Sequence, residues 1–283
     1  MTLQVPALNL QDKVCVVTGA SGGLGAGLAR VMHHAGAKVA LLARSKDKLD
    51  ALASELAAAD GQKPLVLIAD VTDEAALRAA CEELTKSMGP PDILINGAGG
   101  NRKEATSERT RLDPGSLDPM LGSFFRLAPE AWRDVMNLNF MGVLLPSLVF
   151  GEGMILKGGS IVNISSMSAL RPLTKVGAYS AAKAAMTNLT QWLATHLAPA
   201  HIRVNAIAPG FFSTEQNKFL LHGPDGKTLT PRAEQILAHT PMGRFGVSDD
   251  LAGALLYLSS DWSAFVTGVV LPVDGGFSAY SGV

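Results

Sequence analysis

The chain has 283 residues, 47% hydrophobic and 17% charged, with a net charge of −1. That is the profile of a globular protein, and it excludes the basic field of a nucleic-acid binder. Two cysteines, Cys15 and Cys81, are too few for a disulfide framework and read as core thiols.

The opening MTLQVPALNLQDK lacks a basic segment followed by an apolar one, and no stretch reads as the roughly 20 apolar residues of a membrane span. The expectation is a cytoplasmic protein with no membrane partner. In chain order, apolar runs of strand length then alternate with stretches of helical period: KVCVVT and a helix over 23–35, AKVALLA and 46–59, PLVLIAD and 74–88, then DILIN. The apolar runs are continuous rather than alternating, which suits strands buried on both faces of a parallel sheet. A helix over 129–150, the strand GSIVNIS, a helix carrying Tyr179, the strand IRVNAIAP, a helix over 249–259 and the strand GVVLPVD continue the series. No linker or charge run divides the chain. Right-handed crossovers then predict one α/β domain over 1–283: a doubly wound Rossmann fold, with a mostly parallel seven-stranded sheet and helices on both faces. Segments 100–128 and 210–240 fit neither pattern. Both follow C-terminal ends of strands, where such sheets bind ligands, and they read as substrate loops. His33 and His34 read as surface or lightly packed residues of the first helix. None of the six histidines has metal-ligand spacing, and no metal is expected.

Between the first strand and first helix stands TGASGGLG, residues 18–25. Its glycines permit a tight turn and close backbone approach, and the helix N-terminus offers free N–H groups to a pyrophosphate. Later, Tyr179 and Lys183 stand four apart in YSAAK and so share a helix face. An ammonium beside a phenol favours the phenolate, which makes Tyr179 a candidate general acid or base.

TGASGGLG, NGAG at 96–99, Asn139 in NLNF, Ser166 in NISS, YSAAK and PGFFST at 209–214 occur in an order that resembles the short-chain dehydrogenase/reductase family. The resemblance runs from about Asp12 to the C-terminus. It implies a catalytic set of Asn139, Ser166, Tyr179 and Lys183. Ser166 would hold the substrate carbonyl, with Ser165 the alternative hydroxyl, and Asn139 would hold a water beside the lysine. It also implies a dinucleotide site from Gly19, Ser21, Gly22, Gly23, Leu24 and Gly25, then Asn96, Gly97, Ala98 and Gly99. Pro209, Gly210, Phe212 and Thr214 complete it, and Lys183 would bond the nicotinamide ribose. Asp70 and Val71 match the family's adenine-contacting pair, though Asp70 equally reads as a cap for the next helix. Ala43 stands where an NAD-preferring member would carry Asp, and Arg44 follows. With no carboxylate to repel a 2′-phosphate and a guanidinium to pair with it, NADP is favoured over NAD.

INGAGGN, NLNFMGVLLP, NISSMSALRPLTKVGAYSAAKAA, TPMGRFG and FVTGVVLPVDGGFSAYSGV are similar to a narrower group, the D-mannonate oxidoreductases (fructuronate reductases) of the short-chain type. That resemblance implies a sugar-acid substrate. Arg102, Lys103, Arg171, Lys175 and Arg244 are available cations for its carboxylate, with Arg102 and Lys175 first; Asn101, Gln216 and Asn217 suit its hydroxyls. The competing readings are another reductase of the family, acting on ketogluconate or 3-oxoacyl thioesters, and a dinucleotide sensor without chemistry. The apolar ending VDGGFSAYSGV fits the family's habit of packing the last strand in a subunit interface, which implies a homotetramer.

Overall fold

A computed structural model describes residues 8, 10–214, 221–223, 225–226 and 228–282. Seven strands form one sheet: β1 (Val14–Thr18), β2 (Lys38–Ala43), β3 (Leu65–Ile68), β4 (Ile93–Asn96), β5 (Gly159–Ile164), β6 (Ile202–Pro209) and β7 (Val270–Val273). Every pairing is parallel and the order is β3-β2-β1-β4-β5-β6-β7. The crossovers between the first four strands include α1 (Gly23–His34), α2 (Lys46–Asp60) and α3 (Glu74–Met88). Then come α4 (Pro129–Met136), α5 (Gly142–Glu152), α6 (Gly177–Leu197), α7 (Pro231–Ala238) and α8 (Ala252–Ser259).

The continuous apolar strands follow from two cores, one on each face. Cys15 and Val17 of β1 join Leu28 and Met32 of α1, Leu49 of α2 and Leu255 of α8. Val14 and Val16 join Leu77 of α3, Phe150 of α5 and Leu193 of α6. Each fully buried Leu or Phe here contributes roughly 1.5–3 kcal/mol of transfer free energy. Chain order reverses between β1 and β4, where Thr18 and Asn96 stand in register. The Thr18 hydroxyl oxygen accepts from the N–H groups of Gly97 (3.1 Å) and Ala98 (3.3 Å), tying the two strand ends together at the crevice that binds ligands in such sheets.

Four expectations change. The helix over 129–150 is two helices joined by a π turn, Asn137–Met141. With that turn the rod Pro129–Glu152 does reach the length and apolarity of a membrane span, but half of its most apolar window is buried inside the protein. The 210–240 segment contains α7, whose Thr230 cap accepts from the Ala233 N–H and whose first residue is Pro231. His33 is not a surface group: it is 3% exposed and its Nε2 lies 3.1 Å from the Asp60 carboxylate.

Candidate active site

Gly19 has a left-handed φ of +69°, and a Cβ on it would lie 2.7 Å from Ala98 Cα. A Cβ on Gly25 would lie 2.2 Å from the Gly19 carbonyl oxygen. Side chains are therefore excluded from the turn that brings β1 and β4 backbones together. Helix α1 starts at Gly23 with Gly22 as an N-cap that has no side chain, and its first turn contains no acidic residue. Its leading N–H groups and partial positive charge are left to an anion. The segment after β6 reaches the same place: a Cβ on Gly23 would lie 3.1 Å from Thr214 Cβ. This Cβ-free cradle, with backbone donors and no carboxylate, fits a dinucleotide pyrophosphate. Phe212 is a correction, because its ring is 5% exposed and packs in the core against Gly246. Leu24 likewise packs against the core. At both positions the backbone, not the side chain, is what a cofactor would meet.

At the end of β2, Arg44 is exposed and its Nη1 lies 3.5 Å from Asp70 Oδ2. Burial acts to raise the Asp70 carboxyl, but hydrogen bonds from Thr72 and the nearby Arg44 hold it below its ordinary value. Asp70 does not cap α3; Asp73 does, accepting from the Ala76 N–H at 3.1 Å. Val71 is buried, against the first residue of α5.

Tyr179 and Lys183 project from the first two turns of α6, as their spacing requires. Lys183 is 3% exposed; its Nζ donates to the Ile164 carbonyl at 2.7 Å and lies 5.7 Å from the Tyr179 ring centroid. Ser166 faces the Tyr179 phenol and acts to lower it. Ser166 stands two residues past β5 as the cap of a 3₁₀ turn, accepting from the Ser168 N–H at 3.2 Å, whereas the Ser165 hydroxyl is engaged with Thr187 at 2.8 Å. The geometry thus separates the two serines. A Cβ on Gly99 would lie 2.8 Å from Asn139 Oδ1 and 3.1 Å from Lys183 Nζ, so the bare backbone after β4 is what lets these groups converge.

Asn139 sits in the π turn, a geometry that interrupts the i→i−4 ladder and re-aims a side chain. Its Nδ2 donates to the carbonyls of Gly100 (2.7 Å) and Val135 (2.8 Å), and its Oδ1 accepts from the Gly100 N–H at 3.1 Å. Both donors are spent on the protein's own backbone. The side chain therefore clamps the β4 end to the helix.

Burial pushes the Lys183 ammonium down to about 8. Burial also pushes the Tyr179 phenol up, against the opposing effect of Ser166. Desolvation thus acts against the phenolate that a neighbouring ammonium favours.

Among the cations considered for a substrate carboxylate, Arg102 is paired with Asp134 at 3.0 Å and Arg244 is paired with Asp250 through two bonds of 2.6 and 2.7 Å. Arg171 Nε donates to the Ser278 carbonyl at 3.3 Å, and Lys103 stands exposed in a 3₁₀ turn. Lys175 has no anionic partner among the described residues and lies four positions before Tyr179, on a backbone with φ +74°. The Asn101 amide donates to the Thr106 hydroxyl at 2.9 Å. Gln216 and Asn217 lie outside the described residues. Sequence reasoning missed one neighbour: Trp132 packs in a small cluster with Ala105, Ala178 and Tyr179. Nothing periodic in 100–128 signals that Ala105 belongs there.

Residues 19–278 match the family model described as enoyl-(acyl carrier protein) reductase. An uncharacterized oxidoreductase of Bacillus subtilis (strain 168), UxuB, is 48% identical, the match covering 97% of this chain and 98% of that protein. A crystal structure from Haemophilus influenza with bound NAD, provisionally named a D-mannonate oxidoreductase, superposes with a TM-score of 0.92 at 45% identity, covering 97% of this chain and 98% of the other. A gluconate 5-dehydrogenase of Burkholderia cenocepacia J2315, in complex with NADP and tartrate, superposes with a TM-score of 0.80 at 30% identity, over 96% of this chain and 98% of the other. The chain belongs to the short-chain dehydrogenase/reductase family, enzymes that use NAD(P) to interconvert CH–OH and carbonyl groups.

Proposed function

We propose that the protein interconverts a ketone and a secondary alcohol on a sugar acid, D-fructuronate and D-mannonate, with Tyr179 as acid and base. The observation that carries this reading is the convergence of Ser166 and Lys183 on Tyr179, the lysine Nζ lying 5.7 Å from the ring centroid on the same helix face. Nicotinamide, when bound, supplies or accepts the hydride at the carbonyl carbon. Ser166 orients the carbonyl oxygen toward Tyr179 and stabilises developing negative charge on it. The protonated phenol then donates its proton to that oxygen, and in the reverse direction takes it back. Lys183 steadies the phenolate left behind by its charge. Asn139 holds the backbone after β4 in place beside the lysine. The glycine cradle and the start of α1 hold the pyrophosphate, with Lys183 toward the nicotinamide ribose.

Arg44, exposed and next to Ala43 rather than a carboxylate, supports NADP as the preferred cofactor. A sugar-acid substrate draws support from Lys175, four positions before the proton donor and with no anionic partner among the described residues, and from the names of the relatives. Purified protein is expected to reduce fructuronate with NADPH faster than with NADH, read at 340 nm beside tagaturonate, 5-ketogluconate and acetoacetyl thioesters. Tyr179→Phe is expected to lose at least about 100-fold in turnover while still binding cofactor. Preference for the thioester removes the sugar acid; full turnover in Tyr179→Phe removes the acid/base role.

A further inference from the structure

Helix α6 starts without a side-chain cap, since Val176 occupies the cap position and makes no cap bond. Its first turn, which carries Tyr179, needs another constraint. Packing supplies it. Ala105, Ala131, Val135 and Ala178 form a separate small core, with Trp132 and Tyr179 packed against it. Gly177 opens the helix directly under the indole: a Cβ there would lie 3.1 Å from Trp132 Cη2 and 3.3 Å from Cζ2. The ring of Phe124 meets the indole edge to face at 6.0 Å. The loop just before the helix is also tethered, because the Ser107 N–H donates to the Lys175 carbonyl at 3.0 Å.

We propose that Trp132 is a positioning residue, whose indole seats the first turn of α6 on Gly177 and so holds the Tyr179 hydroxyl against Ser166. The inference rests on Tyr179 being the proton donor. Alanines at 105, 131 and 178 are too small to fix an aromatic ring alone, whereas an indole presents a rigid wall at low entropy cost. A displacement of about 1 Å at a reacting group costs on the order of 100-fold in rate. Desolvation raises the phenol and Trp132 packs beside it, so loosening the cluster is expected to admit water and bring Tyr179 back toward its ordinary value. Its polar neighbours are Ser166 across the site and Lys183 on its own helix.

The test is Trp132→Ala and Trp132→Phe, with kcat counted per cofactor-binding site by fluorescence titration and the pH profile of carbonyl reduction recorded. Trp132→Ala is expected to lose roughly 10- to 100-fold in kcat. Its KM for NADPH should stay within about twofold, and its alkaline limb should move to lower pH. Trp132→Phe should recover most of the rate. If Trp132→Ala does not fold, Gly177→Ala serves. Its methyl group presses on the indole and should lower kcat while KM for NADPH stays within about twofold. Unchanged kcat per site and an unmoved pH limb in the folded variants overturn the proposal, leaving Trp132 a purely structural residue. Tyr179→Phe, run in parallel, separates the two failures: if it keeps turnover, the proton-donor reading is what has failed.

Discussion

Lys175 combines a conformational cost, a left-handed backbone at a β-carbon-bearing residue, with a partly exposed ammonium that has no anionic partner among the described residues. Arg102, equally close in sequence to the active strand ends, already has Asp134. Lys175→Ala is therefore expected to raise KM for the sugar acid by roughly 10- to 100-fold, the effect of losing one charge-assisted hydrogen bond of about 1.5–3 kcal/mol, with kcat nearly unchanged. A ketose without the carboxylate, assayed alongside, should not respond. Lys183 makes a different prediction. Its folded-state value of about 8 is below the ordinary 10.5, so between those values the unfolded chain binds more protons and stability rises with pH. Below about pH 8 the charged group stays buried at a cost of up to roughly 3 kcal/mol. Lys183→Met should thus gain most over the parent at pH 7, and the gap should close toward pH 10.5, read by urea denaturation at each pH.

At the scale of elements, the end of β4 is as consequential as any side chain. Gly99→Ala would place a methyl carbon against Asn139, which is fixed by three hydrogen bonds, and against the Lys183 ammonium, which is bonded to the Ile164 carbonyl. Neither group moves without giving up a bond, so the variant should lose about tenfold or more in kcat, measured beside its melting temperature. The sheet, its flanking helices and the phosphate loop were readable in the amino-acid sequence because burial on both faces writes itself as continuous apolar runs, and a Gly-rich turn stands where a strand feeds a helix. That Tyr179 and Lys183 share a helix face was readable from their spacing, whereas Ser166 was picked out only through the family resemblance. The π turn at Asn139 was not: NLNFM carries no proline or glycine pair, and an apolar rod of the same composition reads as one helix. The Arg44–Asp70 approach escaped as well, since it joins residues 26 positions apart across two strand ends. Burial of His33 depended on Asp60 at the far end of α2, a partner that local periodicity does not reveal.

For the whole molecule, the outward face of the half bearing α5 and α6 is notably apolar. Leu148, Ile155, Leu156 and Trp192 are all exposed in the single chain, Leu156 almost completely. Isolated apolar residues are ordinary, but several on neighbouring elements mark an interaction surface. We expect a homotetramer, with light scattering after size exclusion giving about four times the 29.5 kDa of the chain, and Leu148→Glu giving a smaller species. Insertions and deletions meet a different constraint at the π turn. A residue removed from Asn137–Met141 would let the turn close as a regular α turn, leaving Phe150 on the sheet but turning the Asn139 side chain away from the Gly100 backbone that it clamps. The exposed tip of the loop that precedes α4 can change length without that penalty. Across relatives, gaps should therefore gather in that tip and be missing from the five residues of the turn.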